Sequence, residues 1–235
     1  MPNEVPFSMM LASSVHDIKN SLGMLLNTLD AIVEVTPPTS DTQRIQFATL
    51  RGEAARINNS MIYLLGLYRL QEKQLPLQIQ EVFVADFLDE QIASNELLFS
   101  IRQLHIVCEC DDELRAYFDP TLIPGVLNNV LVNASRYADT SIHLIARPNA
   151  NNGVVIEVRD DGPGFPDKML SANSNTEQDQ FVNDDRGIDF NSGSTSLGLY
   201  FAAQVANLHR RGEQHGTIDL TNIAPHGSCF RLLLP

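Results

Sequence analysis

Two stretches of different hydrophobic period predict an α+β chain: an N-terminal antiparallel helical hairpin over 1–75, then a mixed sheet covered on one face by helices over 76–235. Three observations carry this. Apolar residues recur at helical spacing from 7 to about 74 with one break, at "TPPTSD". From Leu75 onward, short alternating runs such as "LQIQEVFV" and "HIVCECD" take over. Between those runs stand helix-like segments and Gly/Pro turns.

In the first region Val15, Ile18, Leu22, Leu25, Leu29 and Ile32 are spaced 3, 4, 3, 4, 3, the spacing of a coiled-coil seam. After Pro37 and Pro38 the spacing resumes through Phe47, Leu50, Ala54, Ile57, Met61, Leu64 and Tyr68. Two helices joined by a short proline turn form a hairpin, the first roughly 40 Å long at 1.5 Å per residue. Each helix carries one apolar stripe, and a second copy of the chain would bury it most simply, as a dimeric four-helix bundle. Packing against the second half of the chain is the rival arrangement.

In the second region "AYF" adds a short strand and "PTLIPGVLNNVLVNASRYA" reads as a helix. "SIHLIAR" and "GVVIEVRDDG" read as strands, "SLGLYFAAQVANLHRR" as a helix, and "GTIDLTNI" and "GSCFRLLLP" as closing strands. A polar loop of 28 residues, beginning at Phe165, interrupts them, the length of a lid.

Composition narrows the function. A net charge of −13 repels nucleic-acid backbones, and the densest basic run, His209-Arg210-Arg211, is no more than a helix end, so no nucleic-acid partner is expected. An anionic nucleotide still fits where a helix N-terminus and a metal oppose that charge locally. Three cysteines, two of them as Cys108-x-Cys110 on one face of a strand, make no disulfide framework and no zinc site. The N-terminus lacks a signal-peptide pattern and no 18-residue apolar run exists, so a cytoplasmic chain without membrane insertion is expected.

Three short stretches bear chemistry. Asn129 and Asn133 lie four apart and share a helix face. "RDDGPGF" sets Asp160 at a strand end before Gly162 and Gly164, where backbone can approach a ligand while an acid reads its polar edge. "SGSTSLGLYFAAQ" is a small-residue turn running into a helix N-terminus. Each alone is an everyday turn or cap. Their order, around a long loop and behind a helical hairpin, is not.

The four motifs together resemble the catalytic core of the sensor histidine kinases of bacterial two-component systems. "LNNVLVNASRYA" is similar to that family's N box, "DDGPGF" to its G1 box, "STSLGL" to its G2 box and "HDIKNSL" to the H box of its dimerisation and phosphotransfer domain. The resemblance covers nearly the whole chain. It implies a histidine-phosphotransfer hairpin over 1–75 and an ATP-binding α/β sandwich of the Bergerat type over 76–235. It implies ATP and Mg2+ as cofactors, with Asn133 as the metal-holding residue and Asn129 facing the same pocket. Arg136 and Tyr137 stand where the family has a basic residue and an aromatic near the nucleotide. Asp160 resembles the acid that accepts the adenine amino group, Gly162 and Gly164 the glycines beside the base, and Gly198 and Leu199 the start of the helix that meets the phosphates. The G2-like box departs from Gly-x-Gly-x-Gly, with Ser194 and Ser196 before Gly198; serine supplies the same amides but resists positive φ. Phe181 and Phe190 are candidates for the phenylalanines ahead of the lid. Gyrase-type relatives carry a glutamate where this chain has Asn129, so the pocket supplies no base for hydrolysis.

That returns attention to His16. With Val15, Ile18 and Leu22 on the seam, His16 falls beside it, where a packed core histidine would not sit, and a metal site lacks further ligands. A merely solvated histidine is the plain alternative. By resemblance His16 accepts the γ-phosphoryl group of ATP, Asp17 fixes its tautomer, and Asn20 positions water for dephosphorylating a partner. Implied partners are a second copy of the chain, a response-regulator receiver domain whose aspartate takes the phosphoryl group, and a separate upstream protein. Fifteen residues precede His16, too few for a sensory domain, unless the chain is part of a longer one. A different class remains open: a histidine phosphotransfer module with a degenerate ATP domain. A third, an ATP-driven clamp, suffers from the missing glutamate.

Overall fold

The computed structural model describes residues 7–40, 77–149, 153–171 and 195–235, with scattered positions of 42–68. The chain divides into two compact units, Met1–Leu75 and Pro76–Pro235. In the first, helix α1 runs Phe7–Val35. It stops ahead of Pro37 and Pro38, where the ring removes a donor and disfavours helix for the preceding residue. Every described residue from 42 to 68 is helical again. Ser40 opens that segment: its hydroxyl accepts the Gln43 N–H at 3.3 Å, while the Gln43 side chain accepts the Thr39 N–H at 2.8 Å, a variant of the reciprocal cap. Along the seam, burial alternates. Val15, Leu29 and Ala54 are buried, whereas Ile18, Leu25, Ile32, Leu50 and Ile57 remain 40–52% exposed.

The second unit is built on a five-stranded sheet with strands β2 (His105–Glu109), β4 (Ser141–Pro148), β5 (Val154–Asp160), β9 (Ser228–Leu234) and β8 (Thr217–Asn222), in that spatial order. The β2–β4 pair is parallel and the others antiparallel, so the sheet is mixed. A separate antiparallel ribbon joins β1 (Gln80–Phe83) to β3 (Arg115–Phe118). Helices α2 (Val84–Arg102), α3 (Ile123–Tyr137) and α5 (Thr195–Leu208), with a single turn α4 (Asp167–Ser171), complete the unit. Helix α3 packs on α2, α5 and β5. Ile123, Leu127 and Leu131 of α3 meet Ile142, Leu144, Ile156, Phe230 and Leu232 in a core where all eight are under 2% exposed. Phe87 and Phe118 close one end edge-to-face at 5.0 Å. On the opposite face of the sheet, Glu157, Arg231 and Asp219 stand side by side in register and form ion pairs at 3.3 and 2.7 Å.

The strand and helix segments anticipated after Leu75 form, with two differences. Strand alternation does not predict helix α2, and it places Val84 in a strand, whereas Val84 is the first residue of that helix. The reason is visible on its inner face: Gln91 and Asn95 are buried beside Val84, Phe87, Leu88 and Phe99, so the apolar period is broken by two amides. Asn95 Nδ2 satisfies itself on the Gln91 carbonyl at 3.0 Å. Arg210 and Arg211, expected to end a helix, instead form strand β6, paired with β7 (Gln214–His215) around Gly212 at φ 61°. The loop after Phe165 begins with α4; residues 172–194, including Phe181, Phe190 and Ser194, lie outside the described residues. No helix among the described residues is long and apolar enough to cross a membrane.

Candidate nucleotide-binding site

A cavity of about 420 Å³ opens between α3, the end of β5, the 163–166 turn and the start of α5. That volume lies in the usual range for a small-molecule site. Asn133, Tyr137, Asp160, Gly164 and Leu199 all line it, so a helix, a strand end, a turn and a second helix converge there. Val130, Val158, Met169 and Phe230 make its wall largely apolar. Such a wall fits the faces of a flat heterocycle, and the few polar groups in it fix orientation.

Asp160 is that polar group. One carboxylate oxygen accepts the Gly162 N–H at 3.0 Å, and the other accepts the hydroxyl of Ser228, its cross-strand partner in β9. Each carboxylate oxygen has a further lone pair, so the group, held from both sides, can still accept a ligand N–H. Ser228 was not singled out from the sequence, because its proximity to Asp160 exists only through the β5–β9 register.

Glycines are required where chains touch. A Cβ on Gly162 would lie 2.2 Å from the Tyr137 carbonyl oxygen. Gly164, at φ 87°, faces Asn222, whose amide clamps the turn: its oxygen accepts the Phe165 N–H at 2.7 Å and its nitrogen donates to the Phe165 carbonyl at 3.0 Å. Asn222, also unforeseen, therefore fixes the turn that forms the cavity rim. The adjoining Asp161 accepts the amides of Asp139, Thr140 and Ser141 together with both hydroxyls. Burial pushes its carboxyl up, but these donors outweigh that and hold it well below the usual carboxylate range.

Asn129 and Gly198 form a second contact. A Cβ on Gly198 would sit 2.3 Å from Asn129 Oδ1 and 2.4 Å from Nδ2, so α5 lies against that amide. Asn129 is 6% exposed, and its Nδ2 is buried without a hydrogen-bond partner among the described residues. A buried unpaired donor costs roughly 1–3 kcal/mol, and an oxyanion or a metal-bound water would satisfy it. Helix α5 begins at Thr195, three residues earlier than Gly198, so Gly198 supplies close packing while the first-turn amides lie ahead of it. Arg136 sits in the last turn of α3 and is half-buried, outside the residues lining the cavity. His16, Asp17 and Asn20 lie on α1; Asp17 and Asn20 are exposed, and the His16 side chain lies outside the described residues.

Residues 118–235, half of the chain, match the family described as "Histidine kinase-, DNA gyrase B-, and HSP90-like ATPase". Over 155 residues the chain is 26% identical to the sensor protein CseC of Streptomyces avermitilis, covering 66% of this chain and 28% of that protein. Over 226 residues it is 24% identical to the sensor-like histidine kinase SenX3 of Mycobacterium tuberculosis, covering 96% of this chain and 53% of the relative. The chain thus spans between about a quarter and half of these relatives. A solved structure of full-length ShkA in complex with AMPPNP aligns with a TM-score of 0.64 over 97% of this chain and 45% of that one; at 17% identity this speaks for the fold alone. With a mixed sheet roofed by α3 and α5 and a cavity at Asp160, the chain belongs to the histidine kinase-, gyrase- and HSP90-like ATPase family, and within it has the make-up of a sensor histidine kinase catalytic core.

Proposed function

We propose that the chain is an ATP-dependent protein histidine kinase that phosphorylates its own His16 and passes the phosphoryl group to an aspartate of a response-regulator receiver domain. The observation that carries this reading is Asp160, pinned by Gly162 and Ser228 at the edge of an apolar cavity that Asn133 also lines. The adenine amino group donates to Asp160, and the base lies between Tyr137 and the Val158–Phe230 wall. The side-chain oxygen of Asn133 would hold magnesium, being an oxygen ligand of the type that ion requires, and the ion would supply neutralisation of phosphate charge. The orphaned amide of Asn129 and the first-turn amides of α5 receive phosphate oxygens; Arg136 adds positive charge at the end of α3. No carboxylate stands at Asn129 to activate water, so the acceptor comes from the other unit.

Residues 1–75 form an antiparallel hairpin that pairs with a second copy as a four-helix bundle. The half-exposed Ile18, Leu25, Ile32, Leu50 and Ile57 support this, since a stripe of that size is otherwise left in water. On α1, the lone pair of a neutral His16 ring nitrogen forms the N–P bond while the bridging P–O bond breaks and ADP leaves with its electrons. Asp17 accepts a hydrogen bond from the N–H of the other ring nitrogen and so fixes the tautomer. Asn20, one turn on, positions water for dephosphorylating the receiver. The signal reaches the chain from a separate sensor or upstream protein.

Incubation with Mg2+ and γ-labelled ATP tests this. The wild type gains an acid-labile, base-stable label, and His16→Gln and Asn133→Asp gain none. No label from ATP, with label gained instead from a phosphorylated receiver, would replace this reading with a phosphotransfer module whose ATP domain is degenerate at Ser194 and Ser196.

A further inference from the structure

A second cavity, of about 410 Å³, shares no lining residue with the first. It lies where the β1–β3 ribbon meets the β6–β7 hairpin. Three arginines line it: Arg115 from β3, and Arg210 and Arg211 from β6. The chain has 16 Lys and Arg against 29 Asp and Glu, so three guanidinium groups around one hollow run against its overall charge. Tyr117 adds a ring and Ile79 an apolar edge.

The wall is only partly neutralised. Arg115 stacks on Phe83 with 4.3 Å to the ring centroid and reaches Glu81 at 3.4 Å; the Tyr117 hydroxyl donates to the same carboxylate at 2.9 Å. Glu81 therefore answers one guanidinium. Among the described residues, Arg210 and Arg211 have no ion-pair partner; Arg210 Nε donates to the Asn207 carbonyl at 3.2 Å. The floor is preset. His209, 1% exposed, accepts the Asp119 N–H on Nε2 at 3.0 Å and donates from Nδ1 to the Val205 carbonyl at 2.8 Å. Both ring nitrogens are thus used, and His209 anchors the hairpin to β3 without offering a group to a ligand.

We infer that this cavity is a binding site for a small oxyanion, a phosphate ester or a dicarboxylate, held by the arginines that line it, Arg115, Arg210 and Arg211. Guanidinium forks match the oxygens of such groups, and the Tyr117 ring adds a surface for the ligand's remainder. A hollow of this size suits a small molecule better than a polymer.

Amide NMR spectra of the full chain, titrated with inorganic pyrophosphate and separately with succinate at fixed ionic strength, test the site. The expected result is saturable shifts at Tyr117, Arg210, Arg211 and Gln214 with at least one of the two anions. Replacing both Arg210 and Arg211 by Ala should weaken that response at least tenfold, while Arg147→Ala, an exposed arginine elsewhere on the sheet, leaves it unchanged. Tighter binding of pyrophosphate identifies a phosphate ester, and tighter binding of succinate a dicarboxylate. Linear, unsaturable shifts, an equal response in the double variant, or saturation confined to the surroundings of Asn133 and Asp160 would overturn the inference.

Discussion

Leu25 and Leu127 are both leucines at inward-repeating positions of long helices, yet Leu25 is 52% exposed and Leu127 fully buried. Leu127 belongs to a unit with a sheet to roof, so α3 finds β5 on one side and α2 and α5 on the others. Leu25 belongs to a unit whose described elements are helices alone, and two helices cannot cover both of their own stripes. The same residue type in the same local pattern therefore meets different surroundings: one completes a core, and the other stays half in water.

Substitutions can break or sharpen that contrast. The largest effect belongs to the closed unit. Phe118→Ala should cost about 3–5 kcal/mol in denaturant unfolding, because Phe118 is fully buried against Phe87 and its cavity cannot collapse. A cost below about 1 kcal/mol would show that the unit is loosely packed. Gly198→Ala comes next. Its Cβ would overlap the Asn129 amide, so α5 must shift; about 1–3 kcal/mol of stability and roughly tenfold in nucleotide affinity should be lost. Leu25→Glu should leave the unfolding of residues 76–235 unchanged while weakening self-association at least tenfold in analytical ultracentrifugation. An unchanged association constant would remove Leu25 from the seam.

Smaller effects probe the cavity rim. Asn222→Ala loses two hydrogen bonds of roughly 0.5–1.5 kcal/mol each, part of which water restores, so nucleotide affinity should fall about threefold with little change in melting temperature. Asp161 gives a pH signature. Its folded carboxyl is held below the ordinary value, so its contribution is fully present above about pH 4 and declines as pH falls towards the folded value. Asp161→Asn should flatten the acid limb of the stability profile between about pH 4 and 2, and a limb of unchanged slope would assign acid sensitivity elsewhere, for example to Asp119. There burial alone would raise the carboxyl, but hydrogen bonds from Thr121, Gln78 and Leu122 hold it low.

Much of the second unit was legible because its signals are local. Strand alternation marked β2, β4, β5, β8 and β9, and the Asn129–Asn133 spacing, the Asp160 turn and the glycines announced themselves within a few residues. Helix α2 escaped because Gln91 and Asn95 occupy its buried face, a choice that makes sense only once the neighbouring backbone is in place. Ser228 and Asn222 escaped for a related reason. Each meets its partner through register or turn geometry, Ser228 across β5–β9 from a residue 68 positions away, Asn222 from one 57 away.

By itself, then, the sequence determined the two periods, the break at Pro37–Pro38, the element types of most of the second unit, and several residues that line the first cavity. These follow from side-chain spacing and backbone restriction, which act over one or two turns. Tertiary structure alone decided which strand lies beside Asp160, that Asn222 clamps the Gly164 turn, that Gly198 gives way to the Asn129 amide, and that Arg115 meets the distant pair Arg210 and Arg211 at a second hollow. Those contacts join residues tens of positions apart, and nothing in local spacing specifies a pairing register or a helix-to-helix approach until the core has closed around them.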